Sequence, residues 1–135
     1  MPKTLKIYTD GGARGNPGPA AAGAVIMDQD NKIIATKKKY LGQATNNIAE
    51  YSAVLLGMET AATLGAHQLN FFLDSELAVK QLNREYKVKN ENIGKLFVKI
   101  FNLSHKFKQV TYTHIPREMN KLADKLVNQA LDENN

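Results

Sequence analysis

Thr9-Asp10-Gly11-Gly12-Ala13-Arg14-Gly15-Asn16-Pro17-Gly18-Pro19 follows directly on a β-branched and aromatic run that contains Leu5, Ile7 and Tyr8. The run reads as a strand over Thr4–Asp10, and the glycines and prolines behind it read as its end. An acid at that boundary points off the carboxyl end of the strand, where ligands of open α/β sheets collect. Further along, Ala20–Met27 reads as a small-residue strand, and the polar turn Asp28-Gln29-Asp30-Asn31 leads into a third strand, Ile33–Leu41, as in a hairpin. After Gly42, Asn46 and Asn47 precede a run of good helix formers to Leu64, with Gly65 as a stop signal. Leu69–Leu73 reads as a short strand, Ser75–Leu82 as a short helix, and Arg84–Asn90 as a polar, basic connector. From Asn92 onward, Ile93, Leu96, Phe97, Ile100, Leu103 and Phe107 keep helical spacing, with lysines on the other side. Val110–Thr113 is the last strand. Met119, Leu122, Ala123, Leu126, Val127 and Ala130 mark a final helix, beyond which Asp132–Asn135 is expected to fray. This order predicts an α/β fold, a mixed sheet with helices on its faces.

At 135 residues the chain is sized for one hydrophobic core, so a single domain over residues 1–135 is expected. No apolar stretch approaches the ~18 to 20 residues that cross a bilayer, and Met1-Pro2-Lys3-Thr4-Leu5 leaves no room for a signal peptide before the first strand. A cytoplasmic protein with no membrane partner is the expectation. Cysteine is absent, which excludes disulfides, zinc–thiolate sites and thiol nucleophiles. Any metal must be held by oxygen or imidazole. The net charge is +5, but Lys80–Lys108 alone sets eight basic residues against Glu85 and Glu91. A basic stretch beside a near-neutral, carboxylate-bearing remainder suggests a face for a polyanion and a centre for metal. A lysine-dressed, solvated helix is the ordinary alternative.

Four acids, Asp10, Glu50, Asp74 and Asp124, lie far apart in the chain, yet each falls at a strand end or helix start. Taken singly they have ordinary explanations. Asp10 suits a turn, Glu50 could complete a capping box with Asn47, Asp74 could cap a helix, and Asp124 could be a solvated helical acid. Taken together, one sheet can bring all four to a point. Magnesium and manganese take hard oxygen ligands, and magnesium keeps much of its hydration. Two such ions roughly 4 Å apart can serve one phosphate, one activating water and the other stabilising the leaving oxygen.

Thr9–Pro19, Thr45-Asn46-Asn47-Ile48-Ala49-Glu50-Tyr51, Leu73-Asp74-Ser75-Glu76-Leu77, His114-Ile115-Pro116-Arg117 and Asn120-Lys121-Leu122-Ala123-Asp124 together closely resemble type 1 ribonuclease H, in order and over nearly the whole chain. The resemblance implies five strands in spatial order 3-2-1-4-5, with strands 1, 4 and 5 parallel and strand 2 antiparallel to its neighbours. It implies a metal-dependent endonuclease that hydrolyses the RNA strand of RNA–DNA hybrids and leaves 3′-hydroxyl and 5′-phosphate ends. Two Mg2+ ions, or Mn2+ in their place, would be held by the four acids. Asp10 and Asp74 would serve both ions, Glu50 the leaving-group side and Asp124 the nucleophile side. His114, ten positions before Asp124, matches the family's catalytic histidine, although Ile115-Pro116-Arg117 replaces a longer loop with glycine and histidine.

Substrate contacts are expected from the amides of Gly11 and Gly12, from Asn16, and from Thr45, Asn46 and Asn47 at a helix start, because such sites present N–H groups to phosphates and hydroxyls. By resemblance the loop and Glu76 face the RNA strand, and Thr45, Asn46 and Asn47 the DNA strand. Relatives often have glutamine where Glu76 stands. The tryptophan- and lysine-rich helix inserted in several relatives is missing, as is tryptophan altogether, so weaker, more salt-sensitive binding is expected. His67 and His105 read as surface residues. A free-standing monomer is the leading form; a catalytically silent hybrid-binding module, a domain of a larger enzyme and a strand-transferring integrase-like nuclease are the alternatives.

Overall fold

The computed structural model describes residues 3–134; the expectations for Met1, Pro2 and Asn135 lie outside them. In chain order the elements are β1 (Thr4–Ala13), β2 (Gly18–Met27), β3 (Ile33–Ala44), α1 (Asn46–Thr63), β4 (Gln68–Leu73), α2 (Glu76–Leu82), α3 (Glu91–Ser104), β5 (Gln109–His114), a 3-10 turn (Arg117–Met119) and α4 (Lys121–Glu133). The strands form one sheet in the order β3-β2-β1-β4-β5. β1 runs parallel to β4 and β4 to β5, while β2 is antiparallel to both β1 and β3. The order expected from the family resemblance is the order found.

Alternation along the strands divides the sheet between two layers. Leu5 and Ile7 of β1, Ala24 and Ile26 of β2, and Leu69, Phe71 and Leu73 of β4 join Tyr51, Val54 and Met58 of α1 in the main core. On the other face Ala21 packs with Val127, Ala130 and Leu131 of α4. Glycines set the depth of both layers. A Cβ at Gly57 would lie 2.8 Å from Ile7 Cγ2, and one at Gly23 would lie 2.8 Å from the Ala123 carbonyl oxygen.

Several boundaries differ from those read in the sequence. β1 does not end at Asp10. Its parallel pairing with β4 stops at Thr9–Leu73, but its antiparallel pairing with β2 continues to Ala13–Ala20. Asp10 is thus off the end of the ladder on one side only. β3 continues past Leu41 to Ala44, because a register shift between Ala20 and Ala21 of β2 absorbs the extra residue and Gly42 supplies a φ of 74°. Phe107 lies beyond α3, in the turn after Ser104, although it remains buried. Met119 belongs to the 3-10 turn rather than to α4 and is 62% exposed. Asp132 and Glu133 do not fray; they sit in α4 and pair with Arg14 and Lys38, each at 2.7 Å. No helix among the described residues is long and apolar enough to cross a membrane.

Candidate metal and nucleic-acid site

β1 and β4 end their parallel pairing side by side, so Asp10 and Asp74 each stand one residue beyond the last pair. Alternation turns Gly11 toward α1, where a Cβ would lie 2.1 Å from the Ala49 carbonyl carbon and 2.4 Å from the Glu50 nitrogen. Only glycine allows α1 to come this near. That approach brings Glu50, on the second turn of α1, to the end of β1. Carboxylate oxygens of Asp10, Glu50 and Asp74 lie within 4.8 Å of one another. Asp124, from the first turn of α4, faces Asp10 from the other side of the sheet, outside that group of three, and its carboxyl adds to the field at Asp10. All four acids line a cleft of about 520 Å³, together with Arg14, Asn46 and Asn47.

The ordinary explanations for two of these acids are removed by the capping geometry. Thr45 caps α1, its hydroxyl accepting from Ile48 N–H at 3.2 Å, so Glu50 is in no capping box. Ser75 caps α2 by accepting from Ala78 N–H at 3.2 Å, so Asp74 is not the cap.

Asp10 is 7% and Glu50 8% exposed. Burial, followed by the charge of Asp74 and a hydrogen bond to Asp124, pushes Asp10 from its ordinary 3.8 to about 8, against the favourable Gly11 N–H at 3.0 Å. Burial, followed by the charges of Asp10 and Asp74, holds Glu50 well above the ordinary carboxylate range. Glu50 Oε2 is buried without a hydrogen-bond partner. Clustered carboxyls of this kind need either protons or a cation, and an oxygen donor set open to a cleft suits a hard divalent ion. The donors therefore fit magnesium or manganese.

The expected substrate residues are brought together in part. Asn16, Thr45, Asn46 and Asn47 border one hollow with Asn90 and Ile93. Asn16 Oδ1 accepts from Asn46 N–H at 3.1 Å and Asn46 Oδ1 from Ala13 N–H at 2.8 Å, which leaves their side-chain NH2 groups to face outward. The Gly11 amide is engaged by Asp10, and Gly11 and Gly12 pair with Ala22 and Ala21 of β2 rather than forming a loop. Glu76 is exposed, ion-paired with Lys80 at 3.2 Å, and not among the residues lining the cleft. His114 ends β5 at the sheet edge, level with Leu73; its side chain is exposed and does not line the cleft. Arg117, three residues on, does line it, as do Ser75 and Asn128. These three, and Asn90, carry no signal of their own in the sequence beyond their place in or beside the quoted segments. His67 and His105 are exposed.

The basic connector is held from below. Tyr51 OH donates to Gln81 Oε1 at 2.6 Å, and Gln81 Nε2 donates to the Lys87 carbonyl at 3.3 Å, which ties the connector to α1 one residue from Glu50. Lys80 lies 4.9 Å from the Tyr86 ring centroid and Arg84 4.5 Å from that of Phe101. Lys87, Lys89 and Lys95 remain exposed.

Residues 8–130 match the family model described as reverse transcriptase-like. A bifunctional protein of Mycobacterium tuberculosis is 42% identical over 127 residues, which are 93% of this chain and 35% of that protein. A ribonuclease HI of Halobacterium salinarum is 40% identical over 129 residues, 96% of this chain and 65% of that one. The crystal structure of RNase H1 from that organism superposes with a TM-score of 0.94 at 38% identity, covering 96% of this chain and 98% of that one. LC11-RNase H1, solved in complex with an RNA/DNA hybrid, gives 0.92 at 40% identity, covering 96% and 97%. The chain spans about a third of the mycobacterial relative and about two thirds of the curated halobacterial one. With its sheet order, its acid cluster and these matches over nearly its full length, the chain belongs to the type 1 ribonuclease H family.

Proposed function

We propose that the protein is an endonuclease that hydrolyses the RNA strand of RNA–DNA hybrids by two-metal-ion catalysis. Asp10, Glu50, Asp74 and Asp124 hold the ions, Mg2+ or in its place Mn2+, and the products carry 3′-hydroxyl and 5′-phosphate ends. The observation that carries the reading is the convergence of Asp10, Glu50 and Asp74 oxygens within 4.8 Å at an open cleft, two of them with carboxyls pushed far up by burial and mutual repulsion. The named activity of the halobacterial relative and the hybrid bound to LC11-RNase H1 support the substrate class.

Bound divalent ions supply a water of lowered pKa and charge stabilisation for the leaving oxygen. The chain's own part is to gather and orient. Glu50 and Asp10 would give up their protons to a bound cation, so that metal binding would be coupled to proton release and favoured by rising pH. The NH2 groups of Asn16 and Asn46, with the exposed Asn47 beside them, suit ribose hydroxyls and phosphates beside the cleft, and the exposed lysines of the connector meet the backbone of the duplex. His114, at the same end of the sheet, moves a proton to or from the product phosphate, while Arg117 places a positive charge at the cleft wall. The acting form is a cytoplasmic monomer in which one domain, residues 1–135, carries the whole site.

A hybrid bearing a short patch of 2′-deoxy residues around the cut site tests the substrate reading. Cleavage should stop within the patch and persist on either side, and end analysis should show 5′-phosphates. Uninterrupted cleavage through the patch would remove the 2′-hydroxyl from the account.

A further inference from the structure

Asn120 precedes α4 at the position where an asparagine ordinarily caps a helix, with its side-chain oxygen accepting from the first turn. It does not do so here: α4 has no side-chain cap hydrogen bond. The side chain is instead turned inward, and the residue is 2% exposed. Asn120 Nδ2 donates to the Thr9 carbonyl at 2.8 Å and to Asp74 Oδ2 at 3.1 Å. Its Oδ1 is buried with no partner.

The chemistry of the two partners fixes the amide orientation. Both are acceptors only, so an amide turned over would set oxygen against a carbonyl and a carboxylate. The chain gives up both a helix cap and a hydrogen bond to Oδ1 to keep one NH2 group between β1 and β4. Its two hydrogens match the two acceptors. The acceptors are themselves placed at the metal site: Thr9 immediately precedes Asp10, and Asp74 is one of the clustered acids. The Asn120 backbone carbonyl also accepts from Asp124 N–H at 3.1 Å. One residue is thus bonded to Asp74, to the residue before Asp10 and to Asp124 itself.

Resting on the proposed metal-binding reading, we infer that Asn120 is a positioning residue that holds Asp74 at the orientation in which its oxygens converge with those of Asp10 and Glu50. Asp74 stands one residue beyond the last pair of the β1–β4 ladder, where strand pairing no longer limits outward displacement of its carboxylate. A fixed donor on Asp74 Oδ2 opposes that displacement, so the ligand set is already assembled when a cation arrives. Partners that orient metal ligands in this way are typically worth about 10- to 100-fold in metal affinity or activity.

The test is magnesium binding by calorimetry, without nucleic acid, on a double-mutant cycle of Asn120→Ala and Asp74→Ala, with metal-free melting temperatures alongside. Asn120→Ala should weaken magnesium binding about 10- to 100-fold and lower kcat on hybrid with KM nearly unchanged. In the Asp74→Ala background the same change should have little further effect on magnesium binding. If Asn120→Ala does not fold, Asn120→Ser, small and still polar, carries the same measurement. A purely structural role would lower the melting temperature equally in both backgrounds and leave magnesium affinity untouched, which would overturn the inference. Absence of magnesium binding by the parent protein would overturn the metal-site reading itself, and this inference with it.

Discussion

Replacing Asp10 by Asn removes one ionisable carboxyl from the acid cluster while keeping an acceptor for the Gly11 N–H. With its carboxyl held at about 8 against an ordinary 3.8, Asp10 keeps its proton in the folded protein over a range where the unfolded chain has lost it. The folded state then binds more protons than the unfolded state. Without metal, stability should therefore fall as pH rises from about 4 to about 8 and level off above that. At pH 7 the gap corresponds to at most ~4 kcal/mol. Because Asp10, Glu50 and Asp74 share one field, part of that repulsion redistributes when one carboxyl is removed, and a gain of about 2 kcal/mol is expected. For a domain of this size that is a rise of about 5–10 °C in Tm. The assay is thermal unfolding in chelator at several pH values from 5 to 9, in parent and variant. Asp10→Asn should melt higher than the parent at neutral pH, the difference should shrink as pH falls, and magnesium should stabilise the parent more than the variant. Hydrolysis should be abolished. A variant that melts below the parent at pH 8 without metal, or a parent whose Tm is flat across the range, would refute the reasoning.

Gly11→Ala places a Cβ 2.1 Å from the Ala49 carbonyl carbon, so it should cost about 3 kcal/mol or more in denaturant unfolding and displace Glu50; unchanged stability would show that α1 does not depend on that approach. Alanine at Lys87, Lys89 and Lys95 together should weaken hybrid binding and flatten its dependence on salt by about one unit of slope for each phosphate that is no longer neutralised, with kcat at saturating substrate retained. An unchanged slope would mean that these lysines face solvent only. His114→Ala should lower kcat by roughly 10- to 10⁴-fold with hybrid affinity kept, whereas Arg117→Ala, which removes a charge from the cleft wall, should act mainly on affinity. Full turnover by the His114 variant would return that residue to ending a strand.

The fold was legible where local pattern and topology agree. Leu5, Ile7 and Tyr8 ending in Asp10-Gly11-Gly12 located the first strand and its acid, and the apolar spacing of α3 located the helix that packs against α1. The extension of β1 to Ala13 was not legible, because what holds Gly11 and Gly12 in a strand is the distant β2 ladder rather than their own preference. Sequence also read Gly11 as a phosphate-facing amide, where its missing side chain chiefly admits α1. The four candidate acids could be picked out from their segments, since hard divalent ions favour carboxylate oxygens whatever packs around them. Asn120 and Arg117 were passed over for the opposite reason. An asparagine before a helix looks like a cap, and only the turned-in side chain and the bonds to Thr9 and Asp74 show otherwise. His114 could be placed on β5, but its exposure at the sheet edge, outside the cleft, depends on the β4–β5 register, which local pattern does not encode.

The central claim is tested most directly by incubating the protein with three duplexes, an RNA–DNA hybrid labelled on each strand, duplex DNA and duplex RNA, in chelator, magnesium or manganese, and resolving each strand separately. The account predicts cleavage of the hybrid's RNA strand with either metal, no cleavage of its DNA strand or of duplex DNA, and none of the hybrid in chelator. Efficient cutting of duplex DNA, or cutting of the hybrid that persists in chelator, would contradict it.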